Sequence, residues 1–155
     1  MVTVIADKGE KTQIATAILN ALPDWFGLPE STKKYISDSR EMPFFAWLED
    51  GRALGFLSLK ETSPYTAEIY VMGVLPEYHH KGIGAELFHA FEEYAKEHGY
   101  EFLQVKTVQT GHYDEYDQTN AFYKRMGFRE LECLPTLWDA WNPCQIYVKA
   151  VRPTL

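Results

Sequence analysis

Apolar residues along this chain repeat with two periods, and the places where the period changes mark its elements. Thr3 to Ala6 predicts a short first strand, followed by Asp7-Lys8-Gly9-Glu10 as a turn. Ile14, Ala17, Ile18, Ala21 and Leu22 then share one face of a helix running from about Glu10 to Leu22, which Pro23 ends. Pro29, at a favoured first-turn position, opens a second short helix reaching about Asp38. Phe44–Glu49 and Arg52–Lys60 predict two strands joined at Asp50-Gly51, a strong two-residue hairpin signal. Thr62-Ser63-Pro64-Tyr65 turns the chain into a third strand, Thr66–Val74, so three antiparallel strands form a meander.

Leu75-Pro76-Glu77-Tyr78 breaks that strand, and from Gly82 onward the period becomes helical. Leu87, Phe88, Phe91, Tyr94 and Ala95 take one face, while Glu86, Glu92, Glu93, Lys96 and Glu97 take the other. Gly99 is a natural residue to stop the helix. Glu101–Val108 returns as a strand, and a strand–helix–strand unit of this kind places its two strands side by side and parallel, with a right-handed crossover. Gln109–Tyr116 reads as a polar and aromatic loop. A short helix then holds Asn120–Met126, with Asp117 or Thr119 as its N-cap and Gly127 at its end. Phe128–Leu134 and Cys144–Val151 are the last two strands, separated by a long aromatic loop, Pro135–Pro143. With no linker, repeat or low-complexity segment in view, residues 1–155 read as one domain.

Composition narrows the class. At 155 residues, 46% hydrophobic and 24% charged, the chain is an ordinary globular protein with room for a sizeable core. No apolar run approaches a membrane span, and no signal-peptide pattern opens the chain, so a cytoplasmic protein without a membrane partner is expected. A net charge of −7 argues against nucleic acid as the main partner and suits a cationic or amine substrate. Cys133 and Cys144 could face each other across a hairpin, but free buried thiols fit a reducing compartment better. No Cys/His cluster has zinc spacing, so no metal is expected.

The candidate chemistry sits where the Thr66–Val74 strand gives way to the long helix. His79-His80-Lys81-Gly82-Ile83-Gly84 places two glycines and three basic residues just before the first helical amides. Those amides have no partner within the helix and lie at the positive end of its dipole, so the junction suits an anion, phosphate above all. A dinucleotide fingerprint fails here because Leu87 stands at the third glycine, and the Gly-Lys-Ser/Thr of a Walker A loop is absent. The stretch resembles the pyrophosphate loop of the GNAT superfamily of acetyl-CoA-dependent N-acetyltransferases, whose pattern is Gln/Arg-x-x-Gly-x-Gly/Ala. One departure stands out: His79 replaces the usual Gln or Arg. Backbone amides carry most of that contact, so His79 should tune affinity rather than abolish it.

Asn120-x-x-Tyr123 followed by Gly127-Phe128 is the second likeness, in the order and separation of the GNAT pattern. The resemblance implies that Asn120 hydrogen-bonds the pantetheine arm and that Tyr123 points its hydroxyl at the thioester sulfur. A tyrosine of pKa ~10 is a fitting donor to a leaving thiolate of pKa near ~8.5. Read as residues alone, Tyr123 is more often a core aromatic on an amphipathic helix; the loop and helix upstream reverse that preference. Glu68, fourteen positions before Gly82, stands where some family members carry a general base. Such a base takes a proton from a protonated amine before attack; an ordinary solvent-facing strand carboxylate or a partner for a buried cation, with a water chain as base, is the other reading. Met72-Gly73-Val74 falls where the family's central strand splays from its parallel neighbour and pairs with pantetheine. There Gly73 suggests a bulge, and a backbone amide of Met72 or Val74 is the expected oxyanion donor.

The resemblance spans about Phe44–Val151, and the N-terminal helices fit the family layout too. It implies an α/β (α+β) fold, a mixed, mostly antiparallel sheet with one parallel splayed pair and helices on both faces. It further implies acetyl transfer from acetyl-CoA to a primary amine by direct attack, since no serine or cysteine nucleophile stands in an activating setting. The acceptor, a small molecule or a peptide amine, is not legible. Trp25, Phe26, Trp138, Trp141 and the loop His112–Tyr116 lie where family analogy puts it, although the tryptophans read as well as core or dimer-interface residues. A homodimer through the C-terminal strands is a further expectation. A non-catalytic acyl-CoA-binding sensor or interaction module is the alternative from another class.

Overall fold

The computed structural model describes residues Met1–Thr154. Seven strands and four helices follow one another as β1 (Val2–Val4), α1 (Lys8–Asn20), α2 (Pro29–Ser39), β2 (Phe44–Glu49), β3 (Arg52–Ser63), β4 (Thr66–Val74), α3 (Ile83–Glu97), β5 (Phe102–Val108), α4 (Asp114–Arg125), β6 (Arg129–Asp139) and β7 (Asn142–Ala150). A 3-10 turn, Pro76–Tyr78, separates β4 from α3. The strands form one mixed sheet in the order β1-β2-β3-β4-β5-β7-β6, with helices on both faces. The chain divides into two compact units, residues Met1–Lys60 with Ile69–Tyr94, and Glu61–Glu68 with the chain from Ala95 on. Among the described residues no helix is long and apolar enough to cross a membrane.

In the first unit, β1 and β2 pair antiparallel, as do β2 and β3, whose hairpin turns at Asp50 and Gly51 with φ of 51° and 78°. Both residues take the left-handed conformation that the Asp-Gly pair supplies. Phe44, Phe45, Phe56, Leu57, Leu87, Phe88 and Phe91 are buried, so the apolar stripe of α3 does belong to the core. Helix α1 starts two residues before the sequence suggests. Asp7 is its N-cap, its carboxylate accepting from the Glu10 amide at 2.8 Å, so the expected turn is the helix's own first turn. Gly73 has a packing reason: a Cβ there would lie 3.0 Å from Leu22 Cδ1 and 3.1 Å from Ile18 Cγ2, so β4 meets α1 closely.

In the second unit, the Glu101 and Phe102 amides donate to the Tyr65 carbonyl, so β4 and β5 start level and run parallel. Helix α3 ends as the sequence suggests. The Gly99 amide bonds Lys96 O, and the Tyr100 amide bonds Ala95 O, the two bonds of a Schellman cap. Strands β5 and β7 pair antiparallel, Lys106 opposite Ile146 and Thr107 opposite Gln145. Opposed residues point the same way. One face therefore carries Gln104, Lys106, Val108, Cys144 and Ile146, and the other carries Leu103, Val105, Thr107, Gln145 and Tyr147. Helix α4 lies on the second face, where Lys149 Nζ donates to Met126 O at 2.9 Å.

Three local expectations change. The segment Gln109–Tyr116 is only partly loop, because α4 begins at Asp114, six residues before Asn120. Neither Asp117 nor Thr119 is its N-cap. Tyr113 is, and Asp117 sits inside the first turn, accepting from the Gly111 amide at 2.7 Å. Asp114, Glu115 and Asp117 together meet the positive helix end. The long loop Pro135–Pro143 is instead the continuation of β6 to Asp139 and the start of β7 at Asn142. Asp139 makes that tight turn by accepting from the Trp141 and Asn142 amides, both at 2.8 Å. Finally, Cys133 opposes Gln145 while Cys144 opposes Leu134, so the two thiols point to opposite faces; both are free, and only Cys144 is fully buried.

Candidate active site

The first unit builds the glycine junction at the head of α3. The Leu75 amide bonds Leu54 O at 2.8 Å, which fixes the end of β4 against β3. The chain then turns through Pro76–Tyr78 and a loop in which His80 has φ 62° and Gly82 φ 83°. The first ladder bond of α3 runs from the Glu86 amide to Gly82 O at 3.1 Å, so the amides of Ile83, Gly84 and Ala85 precede the ladder. A Cβ on Gly82 would meet nothing within 4 Å. The glycine is therefore needed for its left-handed backbone, and the space beyond it is open.

Basic side chains gather beside this opening. Lys81 Nζ lies 5.5 Å from the centre of the Tyr78 ring and the Arg52 guanidinium 6.0 Å from it. Arg52 was not singled out from the sequence; its place at the start of β3 brings it there. His79 turns inward instead. Its Nε2 lies 2.7 Å from Val74 O, and its ring meets Trp25 edge-on at 5.6 Å. His79 thus ties the loop to the last residue of β4, a role the usual Gln or Arg at that place does not suggest. Met72 and Val74 are half-buried at the same strand end.

The second unit holds the acid–base candidates. Glu68 is 4% exposed, and its Oε2 receives Gln104 Nε2 at 2.7 Å and Lys106 Nζ at 3.3 Å. Neither partner was picked out from the sequence. The alternation of β5 was the available signal, since it sets Gln104 and Lys106 on one face between buried Leu103, Val105 and Thr107. Burial also lifts the neighbouring Cys144 thiol to about 11, against a lowering by Lys106.

On α4, Tyr123 is 7% exposed and packed among Phe122, Phe128 and Tyr147. Burial, with a smaller push from Tyr116, raises its hydroxyl well above the ordinary tyrosine value, so Tyr123 stays protonated throughout the neutral range. Asn120, three residues earlier, is buried. Its Nδ2 donates to Val108 O at 2.8 Å and Tyr116 O at 2.6 Å, and its Oδ1 accepts from the Tyr147 hydroxyl at 2.5 Å. The amide thus joins α4 to the ends of β5 and β7, and three of its four hydrogen-bonding places are filled within the protein.

The aromatic candidates separate. In the first unit, Phe26 packs edge-on against Tyr35, and Tyr35 against Tyr70, whose hydroxyl donates to Asp38. In the second, Trp138 and Trp141 are 44% and 79% exposed at the β6–β7 hairpin, so neither is core packing. Tyr113 and Tyr116 meet at 6.0 Å at the start of α4, and His112 Nε2 lies 3.4 Å from Gln109 Oε1.

A mixed seven-stranded sheet with this strand order and a glycine junction at the head of the long helix is the architecture of the GNAT acetyltransferases. The chain belongs to that family: the model of the Acetyltransferase (GNAT) family matches residues 12–128. Its sequence is 29% identical over 117 residues to an uncharacterized N-acetyltransferase of Chlorobaculum tepidum, covering 76% of this chain and 68% of that one. Its fold is similar to that of a Desulfovibrio desulfuricans protein assigned to the GNAT family, with a TM-score of 0.82 at 17% identity over 97% of this chain and 98% of that one. A GNAT family acetyltransferase of Elizabethkingia anophelis, solved with acetyl-CoA bound, gives a TM-score of 0.76 at 15% identity over 97% of each chain. The protein is therefore an acetyltransferase by family.

Proposed function

We propose that this protein transfers the acetyl group of acetyl-CoA to a primary amine, by direct attack of the amine in a ternary complex. The observation that carries the reading is the head of α3: open space beyond Gly82, amides ahead of the helix ladder, and Lys81 and Arg52 nearby. His80, Lys81, Gly82, Ile83 and Gly84 hold the pyrophosphate there, and His79 shapes the loop. The backbones of Met72 and Val74 receive the pantetheine arm and the carbonyl oxygen. The acetyl-CoA bound to the Elizabethkingia protein supports this choice of donor.

Tyr123 is held protonated and gives a hydrogen bond to the departing thiolate. Asn120 serves the pantetheine arm through its one remaining acceptor place, while its other bonds orient α4. Glu68 takes the proton from the incoming ammonium. The whole chain acts as one cytoplasmic catalytic domain, as a homodimer, on a small-molecule or peptide amine.

A second reading, an acyl-CoA-binding module without turnover, draws on one observation: Glu68 already holds a cation, Lys106. Thermal melts with acetyl-CoA, and with NADH as control, separate the possibilities. Ligand at ~100 times its dissociation constant adds about 2.7 kcal/mol of stability, a shift of several degrees at this size. A shift with acetyl-CoA alone, followed by coenzyme A thiol release on adding amines, is the expected result. A shift without release from any amine supports the module, and no shift removes both.

A further inference from the structure

We propose that Lys106 is itself an acetyl acceptor, so that the protein acetylates its own strand β5 at this side chain. The inference rests on the acetyl-transfer reading and on Glu68 as its base. Any amine that uses Glu68 must bring its nitrogen within reach of that carboxylate, and Lys106 Nζ is already 3.3 Å from Oε2. Gln104 holds the same oxygen at 2.7 Å, so the carboxylate is fixed where the lysine meets it.

The pair differs from three other lysine ion pairs. Lys8, Lys34 and Lys124 meet carboxylates 67%, 32% and 58% exposed, where water competes for the proton; the Glu68 side chain is 6% exposed. Lys106 keeps a third of its own side-chain surface, enough to be reached. Its face of the β5–β7 pair is the one opposite α4.

The chemistry balances with the donor the family reaction already uses. Glu68 takes one proton from the Lys106 ammonium and passes it to water. The freed lone pair forms the new N–C bond at the acetyl carbon, and the C–S bond breaks with its electrons on sulfur. The second nitrogen proton leaves with the thiolate as coenzyme A thiol. The acetylated side chain carries no charge, so Glu68 retains Gln104 but loses its cation. The buried carboxylate is then open to the ammonium of an outside amine, and self-acetylation turns a closed ion pair into an acceptor site.

The test uses the full chain with acetyl-CoA and no added amine, followed by intact mass and peptide mapping. One acetyl group is expected on Lys106, arriving faster than on exposed Lys33. In Glu68→Gln its arrival should slow about 100-fold, the size of a general-base contribution. Lys106→Arg keeps the ion pair and should gain no acetyl group at this position. Lys106 acetylated no faster than Lys33, or equally fast in Glu68→Gln, overturns the proposal. A melt shift with acetyl-CoA but no acetyl on Lys106 overturns self-acetylation alone and leaves transfer to outside amines standing. Neither shift nor acetyl removes both.

Discussion

Replacing Asn120 by alanine tests how α4 is held and what the asparagine is for. The substitution removes an amide that donates to Val108 O and Tyr116 O and accepts from Tyr147. Tyr116 O can still take the helix bond from the amide of residue 120, so it loses least. The Val108 carbonyl and the Tyr147 hydroxyl, the latter on a side chain 1% exposed, are left without this partner. At about 1–3 kcal/mol for the stranded carbonyl, and less for the hydroxyl, which keeps Thr110 as a partner, the loss should be about 2–4 kcal/mol, a large share of a domain's stability. For a chain of this size that is a fall in Tm of roughly 5–15 °C. Urea unfolding followed by fluorescence measures it, with Tyr147→Phe alone and the double variant completing a cycle. Because Tyr147→Phe already strands Asn120 Oδ1, the two losses should fall short of additivity by at least about 0.5 kcal/mol. Acetyl-CoA affinity of the folded variant is measured alongside. A loss below ~1 kcal/mol would refute the reasoning that the asparagine's bonds hold α4. Should affinity collapse at the same time, Asn120 would be a cofactor ligand first and a structural joint second.

Tyr123→Phe should lower kcat by about 100-fold with little change in acetyl-CoA binding, read from steady-state thiol release; equal turnover would remove its role as donor. Gly82→Ala should cost about 1 kcal/mol in a melt because φ is 83° and no neighbour crowds the new Cβ. Gly82→Asp adds a charge facing the pyrophosphate and should weaken acetyl-CoA at least ~10-fold beyond the alanine variant, by calorimetry. Alkaline stability should report Cys144. Its folded value, about 11, lies above the 9.0 of an ordinary thiol, so the folded state binds the extra proton. The contribution is complete below pH 9 and is lost from pH 9 to 11, at about 1.4 kcal/mol per unit. Cys144→Ala should therefore flatten the fall of the urea midpoint across that window, and an unchanged slope would contradict the burial argument.

What the sequence determined was local. Asp50-Gly51 specified a hairpin because only a few residues tolerate two successive positive φ values. The 87–95 stripe specified α3, because a helix must bury one face, and Gly99 specified its end. The glycine junction was legible for the same reason: its requirement is a backbone angle at one residue, with open space beyond. Where local signals compete, reading failed. Asp114 and Glu115 look like loop residues, and Asp117 like a cap, until the positive end of α4 is there to receive them. Trp138 and its neighbours look like a loop until β7 offers a partner strand and Asp139 a turn.

Only the tertiary structure decided what Glu68 and Asn120 meet. Lys106 and Gln104 reach Glu68 because β4 and β5 run parallel from a common start at Tyr65, with α3 between them in the chain. Tyr147 reaches Asn120 across 27 residues, because the β5–β7 register turns it to the face that α4 covers. Periodicity fixes which way a side chain points within its own element. Which side chain waits there is set by strand register and helix docking, and those are settled by the burial of the whole core, not by any one stretch of chain.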